Sequence, residues 1–158
     1  MMNEQNISSL VAAAIKDVIA ISSGEMTLEK AKKLALIVEK EAARIGVNAV
    51  VAISNSAARP VLVECMDDSY IASYDVAFNK AYTVVALKMS TSELKKLSQP
   101  GESLYGIQFT NQGKIVIFGG GEPLCKNGKI VGGLGVSGGS EEQDAYLAKF
   151  GAEAFGEV

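Results

Sequence analysis

The chain contains no histidine. That absence removes every scheme that needs an imidazole from this polypeptide, including Ser-His-Asp and Cys-His nucleophile activation, His-ligated zinc and a proximal histidine on haem iron. Tryptophan is absent too, and only 6% of residues are aromatic. No run approaches the roughly 18 uninterrupted apolar residues of a membrane span. Glu4 is the first charged side chain, so no cationic stretch precedes an apolar segment as in a signal peptide. These features predict a cytoplasmic protein with no membrane partner. Lys and Arg number 15 against 18 Asp and Glu. A net charge of −3 argues against a nucleic-acid partner, because that affinity rests on clustered positive charge. The two cysteines, Cys65 and Cys125, are far apart and form no C-x-x-C pair. Both lie in apolar, strand-like runs and read as small reduced core residues, with a redox or ligand-binding thiol as the alternative.

What is present suits one ordinary domain. The 158 residues are 48% apolar and 21% charged, near the globular average. Ile7, Leu10, Val11, Ala14, Ile15, Val18 and Ile19 recur at helical spacing and predict an N-terminal amphipathic helix. Ser22-Ser23-Gly24-Glu25 breaks it. A second helix starts after Thr27, a good N-cap with Glu29 in the first turn, and carries Leu28, Ala31, Leu34, Ala35, Val38, Ala42 and Ile45 as its stripe. Gly46 is its natural terminator. From Val47 the period shortens. Val47 to Ser54 and Pro60 to Met66 predict a hairpin across Asn55–Arg59.

Asp67-Asp68-Ser69 offers caps for a long helix to about Lys88, with Ile71, Ala77, Phe78, Ala81, Val84 and Val85 toward the sheet. A short helix follows over Ser90 to Leu97. Strands are expected around Leu104 to Phe109 and over Lys114 to Phe118. Asn127-Gly128 is the strongest hairpin signal, and it joins Pro123–Lys126 to Lys129–Val136. Ser140 opens a last helix that runs to about Phe155. Consecutive hairpins with helices before, between and after predict an α+β fold, a central antiparallel sheet flanked by helices.

Nine of the sixteen glycines lie between Gly119 and Gly139. Glycines so dense mark tight turns or close backbone approach, and they read either as structural or as the wall of a backbone-lined pocket. Gly133 to Gly138 matches G-x-G-x-x-G, but too little chain follows for a returning parallel strand. The next helix also begins Ser140-Glu141-Glu142-Gln143, a capping box whose acids would repel a pyrophosphate.

Gly119-Gly120-Gly121-Glu122-Pro123-Leu124, then Lys129 to Gly139, with Gln143-Asp144 just after, closely resembles the GlcG/HbpS-like family. That family also supplies the C-terminal domain of PduO-type proteins. Met66-Asp67 and Lys80-Ala81-Tyr82-Thr83 match its other characteristic stretches. The resemblance covers about Thr27 to Phe155. It therefore divides the chain into residues 1–25, a helix and hinge, and 26–158, a GlcG/HbpS-like domain.

The resemblance implies an α+β sandwich assembled with itself as a tetramer or octamer. It also implies an accessory protein binding a small molecule, haem or a related tetrapyrrole such as a corrinoid, with haem degradation in some members. The adenosyltransferase activity of PduO proteins belongs to another domain and is not implied. Axial ligation in this family is often assigned to histidine, so haem here would need Tyr, Cys, Met or a weak oxygen donor. Cys65, Met66 and Tyr82 stand near matched positions, each also readable as core or pocket wall. A cobalamin-like ligand held by packing needs no histidine.

The ligand-binding residues expected from the matched stretches are Met66, Asp67, Lys80, Thr83, Gly120, Gly121, Glu122, Pro123, Ser137 and Asp144. No metal-binding set and no assured catalytic residue is expected. Lys80 either snorkels to the surface or points into a pocket or interface. Asp67 reads as a helix cap or as a carboxylate paired with Lys80, and Asp144 as solvent-exposed. Glu122 is the carboxylate best placed to face a glycine-lined pocket. A Lys-carboxylate pair would be the working unit if the protein were a small enzyme. Residues 7–19 either pack on the protein or resemble the peptides that carry cargo into bacterial microcompartments by binding a shell protein.

Overall fold

A computed structural model gives the fold and describes residues 8–12, 15 and 25–157. Residues 8–12 and 15 are helical, with Leu10, Val11 and Ile15 exposed. The rest of the expected N-terminal helix lies outside the described residues.

Helix α1 (Leu28–Arg44) begins where the Thr27 hydroxyl accepts the Lys30 N–H at 3.3 Å, and it buries Ala31, Leu34, Ala35, Val38 and Ala42. It stops before Gly46, whose φ of +74° is the left-handed state of a helix terminator. Strands β1 (Val50–Asn55) and β2 (Pro60–Cys65) form the first hairpin. The Asn55 side chain stabilises its turn by accepting the Ala57 and Arg59 N–H groups at 2.9 and 3.1 Å. Helix α2 (Ser73–Leu87) and the short α3 (Thr91–Leu97) follow, the latter held by a Ser90–Glu93 capping box. Strands β3 (Gly121–Lys126) and β4 (Lys129–Ser137) turn at Asn127-Gly128, both at positive φ as a type I′ turn requires. Helix α4 (Glu141–Ala154) closes the domain behind a Ser140–Gln143 capping box.

The sheet runs β2-β1-β4-β3 with every pairing antiparallel. Alternation sorts its side chains into two cores. Val51, Ile53, Leu124, Leu134 and Val136 pack with α1 and α4, whereas Val50 and Ala52 meet Ala77 and Ala81 of α2. The domain is thus α2 on one face, α1 and α4 on the other, and the sheet between. Each fully buried Leu or Val contributes about 1.5–3 kcal/mol by leaving water, and the larger apolar cluster is the one on the α1/α4 side.

The α2 side is built differently, from small residues in close contact. A Cβ at Gly135 would stand 2.0 Å from the Ala77 carbonyl oxygen, and one at Gly133 2.4 Å from that of Ala81. The glycines of β4 let the α2 backbone lie directly on the strand.

Several expectations are corrected. Asp67-Asp68-Ser69 does not cap α2: Asp68 adopts φ +62°, Ser69 N–H closes a turn on the Met66 carbonyl, and the helix starts at Ser73 with no side-chain cap. Ile71 therefore precedes the helix and is exposed. No strand forms over 104–109 or 114–118. Positive φ at Gly106, Asn111, Gln112 and Gly113 breaks that stretch into short 3-10 turns at Ile107–Phe109 and Asn111–Gly113. Both cysteines are exposed rather than core. They sit on the two edge strands, Cys65 at the end of β2 and Cys125 at a register shift in β3.

Candidate ligand site at one end of the sheet

Antiparallel pairing brings most of the expected residues to one end. Val50 opens β1 opposite both Cys65 and Ser137, and Gly121 opens β3 opposite Gly135. Met66-Asp67, Ser137–Gly139 and Gly119–Gly121 therefore share that end.

Lys80 lies at its centre with no solvent exposure, the largest fully buried side chain among the described residues. Its ammonium donates to the Val136 carbonyl at 2.7 Å and to Asp144 Oδ2 at 3.0 Å. The Phe118 ring covers it, with the centroid 5.0 Å away. Asp144 Oδ1 accepts the Gly139 N–H at 2.9 Å, so this carboxylate ties the β4–α4 turn to α2. Gly120, at φ +110°, admits the amine: a Cβ there would stand 2.5 Å from Lys80 Nζ and 2.7 Å from the Val136 oxygen. Burial pushes the Lys80 amine below its usual range and the Asp144 carboxyl above its own, while mutual attraction pulls each back toward charge.

Around this pair the loop entering β3 is pinned. Glu141 accepts the Gly119 N–H at 2.8 Å and the Lys95 ammonium at 2.6 Å, which hold its carboxyl below the usual range. Thr91 accepts the Gly121 N–H at 2.9 Å. Thr83, one turn beyond Lys80, accepts the Val116 N–H at 3.0 Å and donates to the Asn79 carbonyl at 2.7 Å.

The structure thus joins Lys80, Asp144 and Gly120 and leaves the other expected residues around them. Ser137 donates to the Ser73 hydroxyl at 3.1 Å. The Met66 sulfur accepts the Ala49 N–H at 3.3 Å. Glu122 and Pro123 lie on the edge strand β3, opposite Leu134 and Gly133, and burial raises the Glu122 carboxyl with help from Glu93. Tyr82 sits against the 98–120 loop, its phenol accepting the Asn111 amide at 3.2 Å. Three readings are corrected. Lys80 does not snorkel, its carboxylate is Asp144 and not the exposed Asp67, and Asp144 is buried.

Sequence reasoning missed two features. One is an open cleft of about 450 Å³ between the end of α1, the turn at Asp68 and Tyr70, and the β4–α4 turn. The other is an exposed apolar stripe that runs from the turn before α2 into its first turn. Tyr70 is 73% exposed, Ile71 96% and Tyr74 48%. The Tyr74 ring stacks on Phe78 at 6.4 Å between centroids. The available signal was the i, i+4 spacing of Tyr74 and Phe78 on one helix face, with Tyr70 and Ile71 just ahead of the helix.

The family model described as haem degrading protein HbpS-like matches residues 26–153. The chain belongs to the HbpS-like family. Its relatives include an uncharacterized 15.0 kDa protein from the dhaT-dhaS intergenic region of Citrobacter freundii, 46% identical over 84% of this chain and 94% of that protein. The corrinoid adenosyltransferase PduO of Salmonella typhimurium is 42% identical over 70% of this chain, but the match spans only 33% of PduO.

Among solved structures, protein ORFY of Klebsiella pneumoniae shares 41% identity and a TM-score of 0.82, covering 84% of this chain and 92% of that one. A PduOC:heme complex shares 37% identity and a TM-score of 0.79, covering 82% and 94%. A double mutant of Streptomyces reticuli HbpS shares 28% identity and a TM-score of 0.73, covering 82% and 86%. This HbpS-like chain therefore has the expected α+β sandwich. Among its described residues no helix is long and apolar enough to cross a membrane.

Proposed function

We propose that the chain is an accessory tetrapyrrole-binding protein that takes haem or a corrinoid without a histidine ligand. The observation that carries this reading is the uncovered stripe of Tyr70, Ile71 and Tyr74, backed by the Tyr74–Phe78 stack. A flat macrocycle covers such a surface, because aromatic and aliphatic faces lose contact with water against it. The stripe also supplies phenol oxygens, which ligate haem iron where imidazole is absent. The donor chemistry thus fits haem, with Tyr70 or Tyr74 holding the iron and Ile71 and Phe78 the ring. Bound haem would supply a redox-active iron. The family membership and the related PduOC:heme complex support the same class. The enclosed Lys80–Asp144 pair supports a structural role for that pair over catalysis.

Haem titration tests this. A shifted Soret band that saturates near one haem per binding unit, and that changes in Tyr70→Phe or Tyr74→Phe, is expected. An unchanged free-haem spectrum at micromolar protein, with no thermal stabilisation by hydroxocobalamin, counts against both ligands.

A second reading concerns residues 1–25, which precede the family match and which we take as a separate helix and hinge. Exposed Leu10, Val11 and Ile15 support a helix that docks in a shell-protein groove and places the protein inside a microcompartment rather than free in the cytoplasm. A fluorescent reporter fused to residues 1–24 should then concentrate in compartments, and a diffuse signal sinks the idea. Self-assembly to a tetramer or octamer belongs to the same proposal and is measured by light scattering.

A further inference from the structure

The cleft beside the aromatic stripe has a chemistry of its own. Gly46 and Val47 at the end of α1, Asn48, Asp68 with Tyr70, and the β4–α4 turn with Gln143 form its walls. No lysine or arginine lines it, and the chain has no histidine. Two backbone donors of the β4–α4 turn that could meet an anion are already taken. Gly139 N–H donates to Asp144 Oδ1 at 2.9 Å, and Ser140 N–H to Gln143 Oε1 at 2.9 Å. The first turn of α4 carries Glu141 and Asp144, met by Lys95 and Lys80, and Glu142, whose charge offsets the positive end of the helix dipole. Helix α1 ends at the facing wall, so the negative end of its dipole adds to the same sign.

The remaining recognition groups suit a cation. Asp68 contributes an exposed carboxylate from a turn held by the Ser69 N–H to Met66 carbonyl bond of 3.1 Å. Tyr70 contributes an exposed ring two residues on. We infer that this cleft binds an organic ammonium ion, with the Asp68 carboxylate as its counter-charge and the Tyr70 ring as its cation–π partner. Carboxylate plus aromatic face is the combination that recognises ammonium groups. The volume of about 450 Å³ lies within the roughly 300–1,000 Å³ of small-molecule sites. A metal ion suits the cleft less well, because among the described residues no three His, Cys, Asp or Glu side chains gather to hold one. This site goes beyond the tetrapyrrole reading and shares only Tyr70 with it.

The test uses the full chain and three probes of equal length, n-butylammonium, n-butanol and butyrate, titrated at constant ionic strength and followed by amide NMR. Butylammonium should give saturable shifts at Asp68, Tyr70 and Gly139, while butanol and butyrate leave them in place. Asp68→Asn, which tolerates the left-handed backbone at this position, should weaken butylammonium about tenfold or more. Tyr70→Leu keeps bulk, removes the ring, and should weaken it severalfold. Butyrate binding as tightly as butylammonium overturns the proposal, as does an affinity unchanged by both substitutions. Haem or hydroxocobalamin binding is read separately by absorbance, so failure of one site leaves the other measurable.

Discussion

Lys80 and Asp144 stand 64 residues apart in the chain, yet their charged groups meet at 3.0 Å beneath the Phe118 ring. One belongs to the helix on one face of the sheet and the other to a helix on the opposite face, so the pair clasps the outer layers around the end of β4. Burying two charges is costly unless both are well paired, and removal of one partner leaves the other stranded. Lys80→Met should therefore lower unfolding stability by about 3–5 kcal/mol in urea titrations. The double variant Lys80→Met with Asp144→Asn should be more stable than Lys80→Met alone, because the amide that replaces the carboxylate carries no unpaired charge and can still accept the Gly139 N–H. Simple addition of the two single losses would show that the pair is not coupled.

Gly135 tests the contact between α2 and the sheet. The nearest atom to an added methyl is backbone, the Ala77 carbonyl oxygen at 2.0 Å, which no rotamer change can move aside. Gly135→Ala should cost at least about 1–3 kcal/mol, the usual range for overpacking. Gly128→Ala meets nothing within 4 Å and loses only the ease of its turn at φ +73°. Thermal unfolding of the two variants should rank Gly135→Ala as clearly the worse, and the opposite order would refute the close approach.

The two hairpins, three of the four helix starts and the α+β class were legible because their signals are local. Thr27, Ser90 and Ser140 precede helices, Asn127-Gly128 can adopt paired positive φ, and strand alternation is read residue by residue. The site was legible only in part. Lys80, Gly120 and Asp144 stood out as matched residues, but their meeting depends on which strand lies beside which, and that is a non-local fact. The Asp67–Lys80 pairing failed for the same reason. Asp67 is close in sequence, but the turn at Asp68 faces it to solvent, while β4 delivers Asp144 to the amine. The cleft had no motif at all, since it arises from where separate elements stop, whereas the stripe left only the short-range Tyr74–Phe78 spacing as a signal.

The exposed cysteines give a chemical check on the edge strands. Cys65 and Cys125 should both react with a bulky thiol reagent in the folded protein, at rates close to those after unfolding. Cys65→Ser and Cys125→Ser should each change stability by no more than about 0.5 kcal/mol, as surface substitutions do. Reaction of both thiols only after unfolding, at a protein concentration where the chain is a monomer, would contradict their exposure on the edge strands.

Glu39 provides a pH test with a definite sign. It lies on α1, where burial and the Glu64 carboxylate push its carboxyl up from 4.5 to about 7. The folded state therefore keeps this proton to higher pH than the unfolded chain does. Between about pH 4.5 and 7 the folded state binds more protons here, so this group's contribution to stability falls as pH rises through that window and is flat above it. Glu39→Gln removes the titration and keeps a neutral group of the same shape. The stability difference between Glu39→Gln and the parent protein should grow from near zero below pH 4.5 to a plateau above about pH 7, with the variant the more stable. Every other carboxylate, Glu41 included, is common to both proteins, so that difference reports Glu39 together with its interaction with Glu64. A constant difference from pH 4 to 8 would mean that Glu39 ionises as an ordinary surface carboxylate.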